Sequence, residues 1–344
     1  MCLTAFTIAV LLATHVCSRV HAYPGIYSPA GRWSHAKDPD LVCGKQFMCT
    51  PSNLTWVSED KTDVLYDAQS GCDALINAGI TRIDFHGDSY MRQIYAAILI
   101  TLNGNYVNGS IADTPYAKKN GAHECTYQKQ FAEKFCGIRS LNHGPVVCGG
   151  KVILDPLLNG LETLKQCKGG GKSTGIALFS WGNYKVGPQI FDRHGVNNAT
   201  AYGRFFEDTK LCPNIRNYDN ITLATHTMKK RSCDIFWLST HYRLMHHFDD
   251  EHVHVVKNYN EKMRDWAVSG TCGMLNYVDV YNMTAALGKE HKAEAQHMSS
   301  IPLTNSPRAV HWGMEVNLVK AQMILNALIR TVNARKSAGP DGRI

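Results

Sequence analysis

One junction constrains this chain more than any other. An apolar run with strand character (Ile80, Ile83, Phe85) ends in Gly87-Asp88-Ser89, and a helical pattern starts at once, with apolar residues at Met91, Ile94, Tyr95, Ile98 and Leu102. Passing from extended to helical periodicity within three residues requires a tight turn. Gly87 and Asp88 suit it, the glycine for backbone freedom and the aspartate as a cap for the helix start. Three more short apolar runs, 176–180, 234–238 and 277–281, read as buried strands. Helical patterns accompany them at 70–78 and 255–268. A last stripe of Met314, Leu318, Ala321, Leu325, Leu328 and Val332, at spacings of three and four, predicts an amphipathic helix with one face on the core. Strand–helix alternation over such a length predicts an α/β sandwich with a mostly parallel sheet.

The first 22 residues read as a secretory leader: an apolar core at 5–13, then Val20-His21-Ala22 as a small-x-small cleavage signature. That core is far too short for a membrane span of ~20 residues, and no later stretch qualifies. Two further features agree with an oxidising compartment, secreted or Golgi/ER lumen. Of twelve cysteines only Cys2 and Cys17 fall in the leader, leaving ten that can pair into disulfides tying the loops. Asn53, Asn108, Asn198, Asn220 and Asn282 each begin an Asn-x-Ser/Thr sequon. No linker, repeat or low-complexity run divides what remains. Residues 23–79 are expected to form an irregular wrap belonging to the same domain as residues 80–335. The net charge of +7 is spread along the chain without an aromatic-interleaved basic patch, so it reads as a solvated surface and not as a nucleic-acid footprint. Oligomeric state leaves no mark in the sequence.

The chemistry-bearing residues are few. A strand-to-helix turn lifts a serine hydroxyl above the sheet edge and aims the first helical N–H groups at whatever it attacks, which makes Ser89 a candidate nucleophile. Its plain alternative is a polar helix cap. Asn183 follows the 176–180 strand and sits where open α/β sheets bind ligands, although an Asn after Gly182 also simply closes a turn. His311, just before the last helix, is carried on a braced loop. Gly169-Gly170-Gly171 lacks the spacing of a phosphate loop. The stretch His246 to His254 holds imidazoles and carboxylates but not the His-Glu-x-x-His register, so it reads as a polar loop opening the next helix. Neither a metal nor a cofactor is expected. Arg92 and Gln93, one helical turn after Ser89, either orient a substrate or brace the turn.

The order Ser89, Asn183, His311 resembles that of the SGNH (GDSL-type) hydrolases, and more closely their PC-esterase branch, which includes trichome-birefringence-like polysaccharide O-acetyltransferases and the luminal domain of sialate O-acetyltransferase. The residues carrying the resemblance are Gly87-Asp88-Ser89-x-x-Arg92-Gln93, Asn183 and His311-Trp312. It implies a flavodoxin-like three-layer sandwich, Ser89 as acyl nucleophile, His311 as its base, and an oxyanion hole from Ser89 N–H, the Asn183 side chain and a glycine, for which Gly104 is the candidate. The implied partner is an acetylated glycan or another small acyl ester. One position departs from the pattern. The family carries an Asp three residues before the histidine, and here that residue is Arg308. A positive charge there disfavours imidazolium instead of stabilising it. Three accounts stand side by side: a Ser-His dyad oriented by a backbone carbonyl, a substitute acid (Asp279, or one of Asp249 to Glu251), or a catalytically dead relative serving as a secreted carbohydrate-binding protein.

Overall fold

The computed structural model describes residues 26–35, 54–87, 89–104, 140–143, 174–180, 233–242, 250–269, 275–290 and 312–337. The leader and the 246–249 part of the histidine-rich stretch lie outside them. The strands are β1 (Ile26–Tyr27), β2 (Gly31–His35), β3 (Leu54–Ser58), β4 (Ile80–Gly87), β5 (Ser140–His143), β6 (Thr174–Ser180), β7 (Cys233–Leu238) and β8 (Leu275–Val278). The helices are α1 (Ala68–Asn77), α2 (Ser89–Asn103), α3 (Asp250–Ser269), α4 (Tyr281–Glu290) and α5 (Met314–Ser337).

Six strands form one sheet in the order β1-β8-β7-β6-β4-β5, and every neighbouring pair is parallel. The expected α/β architecture with a parallel sheet is therefore present. Both faces are covered, as parallel sheets require: Ile235, Phe236, Trp237 and Leu238 are buried in succession along β7. On one face Ile83, Phe85, Ile176, Leu178, Phe236 and Leu238 share a core with Ile94 and Ile98 of α2 and Leu325 and Leu328 of α5. Phe85 meets Tyr95 edge-on, ring centroids 5.2 Å apart. On the other face Trp237 lies 6.2 Å from the ring of Tyr259 in α3.

Three sequence expectations are corrected. Residues 277–281 are not one strand: β8 stops at Val278, and Tyr281 begins α4. The cause is Asp279, whose Oδ1 accepts the amide N–H of Tyr281 at 2.9 Å and of Asn282 at 3.2 Å, capping a helix where apolar composition alone suggested more strand. Residues 26–79 contribute more than a wrap, because β1 adds the sheet's edge strand beside β8, and β2 and β3 pair antiparallel as a separate ribbon. The ribbon is fastened to α4 by Trp33 Nε1–H donating to the Met283 carbonyl at 2.9 Å. Finally, α5 does not bury a single stripe, since from Val316 to Ile329 nearly every residue is buried. The reason is a second partner. The side-chain amides of Gln322 and Asn326 act like a strand edge toward the N-terminal segment. Each accepts a backbone N–H (Tyr66 at 2.8 Å, Val64 at 2.9 Å) and returns an N–H to the same residue's carbonyl at 2.7 and 2.8 Å.

α1 opens on a capping box between Asp67 and Ser70. Its Cys72 is disulfide-bonded. Among the described residues no helix is long and apolar enough to cross a membrane.

Candidate active site

Because the strands are parallel, their carboxyl ends share one edge, the edge where ligands bind in open α/β sheets. After β4 the chain adds β5 on one side and later β6 on the other, so β4 and β6 flank the point where strand order reverses. Ser89 opens α2 directly beyond β4. The first N–H groups of α2, which have no partner within the helix, and the positive end of the helix dipole face that edge. Gly87 stands opposite Ser180, the last residue of β6. Ser180 is fully buried, and its hydroxyl has no hydrogen-bond partner among the described residues. Asn183, three residues on, lies outside the described residues, as do Asp88, Arg308 and His311. The described neighbour of His311 is Trp312, a buried residue whose indole N–H donates to the Tyr242 carbonyl at 2.7 Å.

Gly104 is placed elsewhere. It follows the last residue of α2, at the end opposite Ser89, and a 15-residue helix spans about 22 Å. Its φ of 69° marks a left-handed helix stop, and its N–H donates to the Ile100 carbonyl at 2.9 Å. It is a C-terminal cap and not an oxyanion donor.

Asp279, offered as a substitute acid, is committed to structure. Besides the two α4 amides, its Oδ2 accepts from Ser28 Oγ at 3.0 Å and Asn282 Nδ2 at 2.7 Å. The ends of β7 and β8 are braced around it. Ser239 Oγ accepts the N–H of Val280 at 2.8 Å and of Tyr281 at 2.9 Å, while Asn260 clamps both backbone groups of Thr240 at 2.8 Å. The other candidate acids are not described at side-chain level. Asn282 is the one sequon asparagine among the described residues, exposed on the first turn of α4; Asn53, Asn108, Asn198 and Asn220 lie outside them.

Behind this edge lies a polar group that sequence reasoning missed. Lys320 of α5 is fully buried, yet no described carboxylate pairs with it. Its Nζ donates to Asn317 Oδ1 at 3.0 Å, stands 3.5 Å from His241 Nδ1, and lies 5.0 Å from the ring centroid of Tyr90, the residue after Ser89. Tyr90 and His241 meet edge-on at 4.5 Å. Desolvation holds the lysine well below its ordinary value, since one amide oxygen, an imidazole and a ring face cannot replace the water an ammonium needs. Asn317 in turn donates to the Trp312 carbonyl at 3.1 Å and to Gln93 Oε1 at 3.4 Å. Gln93 thus braces, as one of its two expected roles allowed; the Arg92 side chain is not described. A signal for Lys320 was present in the sequence, for it interrupts the otherwise apolar row Val316, Ile324, Leu328 at helical spacing of four.

Among the described residues no group of three His, Cys, Asp or Glu is arranged to hold a metal ion. No family model, curated protein or solved structure matches the chain.

Proposed function

We propose that the chain is a serine O-acyl esterase or O-acetyltransferase of the SGNH type, acting in the secretory pathway on acetyl esters of glycans. One observation carries the reading. Asn317 holds the Trp312 carbonyl and Gln93 at once. Trp312 follows His311 in sequence, and Gln93 lies one turn beyond Ser89, so this amide ties the residue after the histidine to the helix that the serine opens.

In this reading Ser89 Oγ attacks the acyl carbonyl carbon while His311 takes its proton. The resulting oxyanion forms at the start of α2, whose N–H groups and dipole favour negative charge, with the Asn183 amide as a further donor. Collapse returns the proton to the departing sugar oxygen and leaves an acyl ester on Ser89. Water then releases the acid in an esterase, or a second sugar hydroxyl carries the acyl group away in a transferase. The flavodoxin-like arrangement accompanies this reading: counted from β4, the run β5-β4-β6-β7-β8 has the order 2-1-3-4-5. Further disulfides among the ten cysteines would tie the loops around it.

Arg308 favours a second reading, a catalytically silent carbohydrate-binding relative, because losing the orienting acid costs ~10⁴-fold in the serine-protease template. Hydrolysis of a chromogenic acetyl ester by the purified secreted protein separates the two. The enzyme reading expects turnover that falls on the order of 10³-fold or more in both Ser89→Ala and His311→Ala proteins of equal stability. Absence of turnover, together with no labelling of Ser89 by a fluorophosphonate, would leave only the binding reading.

A further inference from the structure

Nothing about a three-residue catalytic set requires a buried lysine that no carboxylate among the described residues faces. A buried lysine is retained in few proteins without a partner, because desolvation penalises its charged form and the neutral amine still demands an acceptor. Here the acceptor is Asn317 Oδ1 at 3.0 Å. That bond orients the amide, because an amide whose oxygen is engaged by Lys320 must present its Nδ2 to the other side. Nδ2 is the atom that reaches both the Trp312 carbonyl and Gln93 Oε1. Without Lys320 the two ends of the Asn317 side chain are free to exchange, and an oxygen turned toward the Trp312 carbonyl repels it.

The lysine is itself held on three sides. His241, at the exit of β7, stands at 3.5 Å, and the Tyr90 ring covers Nζ from α2. The β7 exit cannot drift, being clamped by Asn260 and by the Ser239 contacts to α4. The chain of contacts from the sheet edge through Lys320 and Asn317 to Trp312 and Gln93 is therefore continuous and rests on a rigid floor.

We propose that Lys320 and Asn317 form a positioning strut that fixes the spacing between the start of α2, which bears Ser89, and the segment ending in Trp312, which bears His311. The proposal rests on the serine–histidine reading above and adds to it two positioning residues that touch no substrate. Misplacement by about 1 Å of a reacting pair is enough to lower turnover ~10²-fold. Loss of outer-shell partners elsewhere lowers activity ~10–100-fold.

The test uses the full secreted protein and the rate at which a fluorophosphonate labels Ser89, beside kcat and KM for a chromogenic acetyl ester. Lys320→Met keeps the length and packing of the side chain and removes its donor. Gln93→Met, at a half-buried position that folding tolerates, cuts the strut at its other end. Both variants are expected to label about 10–100-fold more slowly, with kcat reduced to match, KM within about twofold, and a melting temperature no lower than that of the parent for Lys320→Met. A general loss of packing would instead lower the melting temperature and labelling together. Should Lys320→Met not fold, Gln93→Met alone decides the question. Parental labelling rates in folded variants overturn the strut and leave the serine–histidine reading intact; an unlabelled parent protein overturns both.

Discussion

Two cations of the helix α5, Lys320 and Arg330, lie ten residues apart, and the protein treats them in opposite ways. Arg330 is partly exposed and meets acids: it donates to Asp63 Oδ1 at 2.8 Å and through both terminal nitrogens to Asp60 Oδ2 at 2.9 Å, and it lies over the Tyr27 ring at 5.6 Å. Lys320 is sealed away from solvent and meets none among the described residues. The first arrangement fastens the N-terminal segment to the last helix with charges that keep part of their hydration, so each contact adds little and any one can be lost. The second gives up solvation for a single orientation, and every partner is needed. One end of α5 joins parts of the chain; the other sets a geometry.

The contrast can be broken at its most sensitive point by Asn317→Leu. With its acceptor gone, the Lys320 amine is left buried and unpaired, and stability is expected to fall by about 1–3 kcal/mol in chemical denaturation. The double variant Asn317→Leu/Lys320→Met should be more stable than the sum of the two single effects gives. Additive effects would mean that the two residues do not depend on each other.

Lys320→Met alone sharpens the comparison because its sign is opposite: the melting temperature should rise by a few degrees at pH 7. The pH dependence follows from linkage. The folded lysine binds its proton well below 10.5 while the unfolded one binds it near 10.5. The contribution of Lys320 to stability is therefore complete above pH 10.5 and is lost as pH falls toward the folded value. The advantage of methionine should accordingly be widest near neutrality and should shrink as pH rises toward 10.5. A constant advantage across pH 7–10.5 would mean that the lysine stays charged when folded.

The smallest effect is expected at the other end. Arg330→Ala should lower stability by less than ~1 kcal/mol, and by still less in 1 M salt, because its ion pairs are partly exposed and screened. The Thr62 hydroxyl and amide, and then Arg330, hold the Asp60 carboxyl down at about 2. Its contribution is complete above the ordinary carboxylate value of 3.8 and disappears as pH falls through 2. The difference between Arg330→Ala and the parent should close over that range. A difference that persisted undiminished below pH 2 would show that Arg330 acts through its contact with the Tyr27 ring and not through Asp60.

Much of the scaffold was legible because it follows from periodicity. The β4–α2 junction, the buried strands β6 and β7 and the long last helix each announce themselves through consecutive or regularly spaced apolar residues. What escaped depends on partners distant in sequence. The all-round burial of α5 arises from the N-terminal segment lying against Gln322 and Asn326, polar residues that read as solvent-facing when the helix is considered alone. The early end of β8 depends on one capping carboxylate, which composition cannot separate from a polar residue within a strand. At the site, the serine turn was legible from its strand-to-helix setting. The lysine behind it was not, because a lone cation in an apolar row usually lies on the surface. Gly104 was misjudged because a glycine suits an oxyanion loop and a helix stop equally well in sequence.

The two-residue strand β1 has an implication for how the molecule is made. Ile26 and Tyr27 pair with Tyr277 and Val278, and Asp60 and Asp63 wait for Arg330, so these early residues find their partners some 250 or more positions later in the chain. At about 5–20 residues per second, the N-terminal segment spends on the order of fifteen seconds or more outside the ribosome before its partners exist. During that interval Trp33, Trp56 and Tyr66 have no α4 or α5 to cover them. Pairing of β1 with β8 must therefore wait for synthesis of the later segment, and the residues that cover this sheet edge are the ones left longest without their partners.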